Sequence, residues 1–232
     1  MTALHKSLNT TPVFQSLSAT EREEFSHLAR EREYQKGEYL CQYGDSWPYL
    51  FLITHGQVEA IKESAEGRSL LVATFHSNEI FWGLAFFDEQ LLMPVTLLAR
   101  KPSRIYLWHR DACLPFLHQH GSLSLELSRL MVRRMLRASD MVEELAFQSV
   151  TGRLARLLLE QYPADQQSVE RYLTLDEMAA RIGTTREMVC RILYRFAAQG
   201  AIQINRTVFV FKTASCWKSI SKTHFALRLT IL

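Results

Sequence analysis

Arg186, Glu187 and Arg191 stand close together in the run Thr-Thr-Arg-Glu-Met-Val-Cys-Arg that begins at Thr184. Each can address the edge of a base pair: an arginine fork donates to guanine O6 and N7, and a carboxylate accepts from cytosine N4. The same types also make an ordinary solvated charged face, so the question is whether one helix presents them together. On a wheel of about 100° per residue with Arg186 at zero, Glu187 falls near 100° and Arg191 near 140°. Val189, Ile192, Leu193 and Phe196 fall between about 240° and 340° on that wheel. One face can therefore dock on a neighbouring element while the other carries Arg, Glu and Arg from its first turns, the construction of a helix that enters a major groove.

The elements that must hold this helix are legible on either side of it. Thr174 with Glu177 and Thr184 with Glu187 both fit the capping box, in which a hydroxyl and a carboxylate satisfy orphan N–H groups of a first turn. Two short helices are expected, with Gly183 as the turn between them and Gly200 ending the second. Beyond them, Ile202 to Phe211 alternates and is broken at Asn205-Arg206, as a short β-hairpin would be. Together these make a winged helix-turn-helix, predicted over residues 149–212. Upstream, Val150 to Tyr162 reads as a further helix capped by Thr151, with Phe147 to Thr151 as the hinge before it.

Gly121 to Gln148 is a long helical pattern without internal Gly or Pro. Leu127, Met131, Ala138, Met141 and Leu145 form a heptad seam, with Arg134 at its edge, and predict a dimerisation helix over residues 121–148. Packing of this face on the chain's own barrel is the alternative, but Leu130 and Val142 on another face can serve that purpose. From Glu33 to Leu107 short β-like runs alternate with turns: Glu38 to Cys41, Tyr49 to Thr54, Gln57 to Lys62, Ser69 to Phe75, Val95 to Ala99 and Arg104 to Trp108. Gly37, Gly44, His55-Gly56 and Glu66-Gly67 mark the turns. Such spacing predicts a small antiparallel barrel or jelly roll, preceded by a helical lead-in over residues 12–31 capped at Ser18 or Thr20. The expected class is α+β: an N-terminal antiparallel β-roll (jelly roll) over residues 1–120, the long dimerisation helix, the C-terminal winged helix-turn-helix, and a tail over residues 213–232 with no readable pattern.

Composition narrows the function classes. No run of about 18 uncharged apolar residues and no apolar signal core exist, which predicts a cytoplasmic protein without a membrane partner. Cys41, Cys113, Cys190 and Cys216 form no Cys-x-x-Cys pair and no metal-ligand spacing with the eight histidines, so free thiols are expected, and neither metal nor cofactor. A nucleophile elbow, a phosphate-binding glycine loop and a His-Glu-x-x-His motif are all missing, so an enzyme is not expected. The net charge of +3 divides unevenly: residues 1–149 carry 15 Lys/Arg against 18 Asp/Glu, and residues 150–232 carry 12 against 6. The basic excess sits with the helix pair, as phosphate binding requires.

A β-roll, a long helix and a winged helix-turn-helix in that order resemble the CRP/FNR superfamily of bacterial transcription regulators, over roughly residues 12–211. The most specific segments are LAFQSVTGRLARLLL (Leu145 to Leu159), similar to that family's hinge and first DNA-domain helix, and TTREMVCRIL (Thr184 to Leu193), similar to its recognition helix. In the barrel, KGEYLCQYGD and YLFLITHGQVEAIKES look like the family's strand and turn pattern. The resemblance implies a homodimer on double-stranded DNA, reading an inverted repeat of TGTGA-like half-sites through Arg186, Glu187 and Arg191. It also implies a phosphate contact from Thr185, beside Thr184, and RNA polymerase as a partner if the protein is an activator. Met188 and Cys190 depart from the family's usual Thr and small residue.

The effector cassette departs further. Cyclic-nucleotide-binding members resemble Gly-Glu-Leu-Ala followed about ten residues later by Arg-Ser, where the arginine forks onto the cyclic phosphate and the glutamate binds the ribose. Here Trp82 and Gly83 stand at the Gly-Glu positions and Met93 and Pro94 at the Arg-Ser positions, with no cationic residue between Glu79 and Arg100. Control by cyclic AMP is not expected. The candidate effector pocket is then Phe81, Trp82, Gly83 and Met93 with Ser139 of the long helix, amid Phe75, Phe86 and Phe87; it is either an apolar-ligand site or filled core. The alternative function is a haem, redox or small-apolar-ligand sensor whose main chemistry lies in the β-roll, for which His76, His109, Cys113, His118 and His120 are the available ligands.

Overall fold

The computed structural model describes residues 2–162, 168–205 and 208–211. Helices α1 (Ala3–Thr10) and α2 (Ala19–His27) flank a 3-10 turn at Pro12–Ser16. Of the two caps considered for this lead-in, Ser18 is the one used: its hydroxyl accepts from the Glu21 N–H while the Glu21 carboxylate accepts from the Ser18 N–H. Strands β1 (Arg30–Tyr34), β2 (Tyr39–Cys41), β3 (Tyr49–Glu63), β4 (Ser69–His76), β5 (Ile80–Trp82) and β6 (Thr96–His109) form an antiparallel sheet in the order β1-β6-β3-β4, with β2 also on β6 and β5 on β3.

The two long strands run as near-continuous apolar stretches because both of their faces are covered. Leu50, Leu52, Tyr106 and Trp108 face a core that includes the N-terminal helices, while Phe51, Ile53, Ile105 and Leu107 fill the inside of the roll. Trp108 ties the helices down: its ring stacks on Phe25 at 4.7 Å and its indole N–H donates to the Phe25 carbonyl at 2.8 Å. His55-Gly56, expected as a turn, lies inside β3 instead. The register against β6 shifts there, Gly56 takes φ +102°, and a Cβ on it would meet Ser103 Oγ at 2.2 Å, so the glycine is required by a bulge and a close approach.

Helix α3 (Arg110–Gln119) follows β6, then α4 (Gly121–Phe147), α5 (Val150–Gln161), β7 (Ser168–Glu170), α6 (Leu175–Ile182), α7 (Arg186–Ala198), β8 (Ile202–Ile204) and β9 (Val208–Phe211). Residues 1–62 with 72–137 make one compact unit and residues 63–71 with 138–232 the other, so the long helix contributes to both. The expected hairpin is present as β8 and β9, and β7, which the sequence reading missed, completes a three-stranded wing in the order β7-β9-β8. The tail over residues 213–232 lies outside the described residues, as does Cys216.

Two caps differ by one or two positions from expectation. Ser149, and not Thr151, caps α5, its hydroxyl accepting from the Gly152 N–H at 3.1 Å. Thr185, and not Thr184, caps α7. The Thr174–Glu177 capping box on α6 is formed as expected, with both reciprocal bonds in place. Thr174→Ala should therefore lower the stability of the winged module by about 1 kcal/mol, read as a drop in its denaturation midpoint; an unchanged midpoint would mean the first turn of α6 does not depend on that hydroxyl.

Candidate nucleic-acid interface

Helix α7 is held by what it buries. Val189, Ile192, Leu193 and Phe196 are all at most 3% exposed and pack with Met178, Ile182, Leu154, Leu158, Tyr162 and Phe209 in one core. Gly183 takes the left-handed conformation, φ 64° and ψ 52°, that closes α6 and redirects the chain into α7. Arg186, Glu187 and Arg191 lie on the opposite, solvent-exposed face, as the wheel requires.

The electrostatics of that face suit an acceptor flanked by two donors. Hydrogen bonds from the Glu187 backbone N–H and the Thr185 hydroxyl hold the Glu187 carboxyl below its ordinary range, with Arg186 adding to the effect, so it is an anion at neutral pH. Arg186 Nη1 lies 3.8 Å from Asp176 Oδ2 on α6, an exposed pair that orients the guanidinium without burying it. The Thr185 hydroxyl accepts from the Met188 N–H at 3.3 Å while its own hydrogen goes to the Glu187 carboxylate. Thr184 and Thr185 are both half-buried at the helix N-terminus, where backbone N–H groups favour an anion. The same face continues one turn further to Tyr194, 68% exposed, and Arg195. Sequence reasoning stopped at the first two turns, although the same wheel puts Tyr194 at about 80°, between Arg186 and Glu187.

The residues expected to form the seam on α4 are not grouped as expected. Leu127 is 2% exposed and belongs to the core beneath the β-roll; Leu130 and Met131 pack against that core. Arg134 is turned toward the roll. Its guanidinium lies 4.7 Å from the Trp82 ring, 4.9 Å from Phe81 and 5.0 Å from Phe75; Nη2 donates to the Ile80 carbonyl, and Nη1 is buried without a hydrogen-bond partner among the described residues. Burial pushes this guanidinium down to about 10, against the favourable influence of Glu79. Ala138 and Leu145 are exposed and Met141 is half-buried. The exposed apolar row lies on another face: Leu125, Val132, Met135 and Val142 are between 52% and 66% exposed, and with Ser128, Ser139 and Ala146, also exposed, they follow a heptad.

The candidate effector residues are mostly core. Phe81 sits 4.5 Å from Phe75 and 5.6 Å from Trp82, Met93 is 2% exposed inside the roll, and Ser139 is on the exposed row of α4. A Cβ on Gly83 would stand 1.7 Å from the Trp47 carbonyl oxygen, so no side chain fits at the position of the ribose-binding glutamate without moving the backbone. Arg100, beyond the cassette, has its Nε 3.9 Å from Glu59. Among the residues available for haem, Cys113 is fully buried and its thiol pushed up to about 12 by that burial. His109 faces Asp111, and His120 lies 3.0 Å from Glu21 and against Phe116. No described helix is long and apolar enough to cross a membrane.

Comparison with known proteins agrees with this architecture. Residues 31–120 match the cyclic nucleotide-binding domain family and residues 152–213 the Crp-like helix-turn-helix domain family, together more than half of the chain. The chain is similar to the CRP-like cAMP-activated global transcriptional regulator of Mycobacterium tuberculosis, 28% identical over 180 residues that cover 74% of this chain and 79% of the relative. It is likewise similar to the cAMP-activated global transcriptional regulator Vfr of Pseudomonas aeruginosa, 26% identical over 201 residues, 81% of this chain and 92% of the relative. Among solved structures, the c-di-GMP responsive global regulator CLP of Xanthomonas campestris aligns with a TM-score of 0.73 at 23% identity, over 84% of this chain and all of that one. These relatives are regulators and not enzymes. With its cyclic nucleotide-binding fold, long helix and exposed Arg-Glu-Arg face on a helix-turn-helix, this chain belongs to the CRP/FNR superfamily of transcription regulators.

Proposed function

We propose that the chain reads an inverted repeat of TGTGA-like half-sites as a homodimer and that cyclic AMP does not set its DNA affinity. The observation that carries the base reading is the exposed Arg186, Glu187 and Arg191 set on a helix whose other face is buried. One winged module makes too few base contacts for useful specificity, and a twofold pair reads half-sites about one helical turn apart. A second copy of α4 is the natural cover for the exposed row at Leu125, Val132, Met135 and Val142, and the seam is placed there in preference to the face through Leu127 and Met131, which packs on the core beneath the roll. The protein acts in the cytoplasm, and RNA polymerase is a partner if it is an activator. Selection of bound sequences from random DNA tests the reading. A palindromic consensus with TGTGA-like arms is expected, unchanged when cyclic AMP is added; a consensus without twofold symmetry would overturn it.

The Mycobacterium tuberculosis and Pseudomonas aeruginosa relatives are cAMP-activated regulators, but the groups that would hold the nucleotide are replaced here. Neither Met93 nor Pro94 offers a side-chain donor, and Gly83 carries no carboxylate. An anion taken into the roll without a paired cation costs on the order of several kcal/mol. Arg134 brings a cation to Phe81 and Trp82, yet its faces are occupied by rings and Nη2 by the Ile80 carbonyl. Calorimetry with cyclic AMP and cyclic GMP should show no binding at roughly micromolar concentrations. Micromolar binding would overturn this part of the proposal and make Arg134, ahead of Arg100, the first candidate for the phosphate's partner.

A further inference from the structure

Arg153, in the first turn of α5, is 8% exposed, and a charge so placed is tolerated only where its donors are satisfied. Its Nε donates to the Ile182 carbonyl at 2.8 Å. Its Nη1 donates to the Gln148 carbonyl at 2.5 Å and lies 3.4 Å and 3.5 Å from the carbonyls of Glu144 and Leu145. Glu144 and Leu145 belong to the last turn of α4, and Ile182 is the last residue of α6. Helix C-termini leave carbonyls without intrahelical partners and carry partial negative charge, so one guanidinium closes two helix ends at once.

Two further contacts join the same pieces. Gly183, which follows Ile182 and starts the turn into α7, comes so close to the last turn of α4 that a Cβ there would lie 2.8 Å from Leu145 Cδ2. Arg156, one turn along α5, makes a bidentate pair with the Glu144 carboxylate, Nη2 to Oε2 at 2.6 Å. The end of α4, the start of α5 and the turn before the recognition helix are thereby fastened to one another through a single buried side chain and a flanking ion pair.

We propose that Arg153 is a positioning residue for DNA recognition: by bridging the C-terminal carbonyls of α4 and α6 it fixes the direction of α7 relative to the long helix. In the homodimer proposed above, on which this rests, that direction sets the separation of the two recognition helices and so the half-site spacing the protein accepts. Arg153 touches no base; its effect is on spacing and not on which bases are read.

The test is selection of bound sequences by the full-length chain and by Arg153→Met, followed by affinity measurements on operators whose half-sites are moved apart or together by one or two base pairs. Wild type should prefer one separation by about tenfold or more, and in Arg153→Met this preference should fall to about threefold or less while the bases chosen in each half-site stay the same. Glu144→Gln, a milder change that removes only the Arg156 ion pair, should fall between the two. An Arg153→Met dimer that keeps the wild-type spacing preference overturns the proposal. Loss of base choice together with spacing in Arg153→Met, with Glu144→Gln indistinguishable from wild type, overturns it also, because the residue is then needed only to fold the module. Failure of the dimer reading looks different: the wild-type chain itself sediments as a monomer and shows no preferred spacing.

Discussion

A chain carrying Val132→Asp and Met135→Asp together is expected to sediment as a monomer and to bind its operator about a hundred- to ten-thousandfold more weakly than wild type, the range by which linking two modules raises avidity. Val132 is 52% exposed and Met135 64% exposed, so neither supports the fold of its own chain and the melting midpoint of the monomer should be unaffected. In a paired helix they occupy successive positions of the heptad, where a carboxylate is desolvated against an apolar partner. Substitutions on the neighbouring face have the opposite signature. Leu127 is buried in the core beneath the roll, so Leu127→Ala should cost roughly 2–5 kcal/mol of stability in the N-terminal unit without dissociating the dimer directly. A Val132→Asp, Met135→Asp chain that remains dimeric by sedimentation would show that the exposed row is not the seam.

Arg186→Ala should weaken binding at each half-site by about 1–3 kcal/mol, and the loss counts twice in an inverted repeat, so the operator affinity of the dimer should fall by roughly 2–6 kcal/mol. The consensus should relax at one position per half-site, that of the guanine served by the arginine fork. Arg191→Ala should relax a different position. Glu187→Gln should weaken the requirement for cytosine, because the amide no longer offers two acceptor oxygens. Nonspecific affinity should fall only by what one phosphate-scale charge per protomer contributes, with a correspondingly shallower salt dependence. If the consensus of Arg186→Ala is identical to that of wild type, Arg186 reads no base and the assignment of this residue is wrong.

The DNA-reading helix is legible in the sequence because its determinants are local. Its apolar residues recur with helical period, a glycine with positive φ precedes it, and a capping box opens α6. The one-residue error at its start, Thr184 for Thr185, has a local cause: both hydroxyls precede the same first turn, and only the backbone path beyond Gly183 decides which reaches an N–H. The bulge at Gly56 was read as a turn for a related reason. A glycine with positive φ serves both, and only the approach of Ser103 from β6 distinguishes them. Strand β1, Arg-Glu-Arg-Glu-Tyr, was missed because four of its five residues are exposed and it is held by register with β6 and not by any apolar alternation of its own.

By itself the sequence determined the class of the fold, the order of its parts and the Arg186, Glu187, Arg191 set, all of which rest on periodicity, caps and residue chemistry along a few turns of chain. Only the tertiary structure decided how α4 divides its faces. That helix is apolar on more than one side, so a heptad can be drawn through Leu127 and Met131 or through Leu125, Val132, Met135 and Val142 with equal right. The β-roll covers Leu127, packs against Met131 and draws Arg134 in among Phe75, Phe81 and Trp82, a cation–π arrangement of residues far apart in sequence, and leaves the second row exposed. The same holds for Arg153, whose four carbonyl partners come from the ends of two helices and the residue that follows one of them. Periodicity reports that a side chain faces something apolar or bonded, and the partner it faces is fixed only when distant segments are packed together.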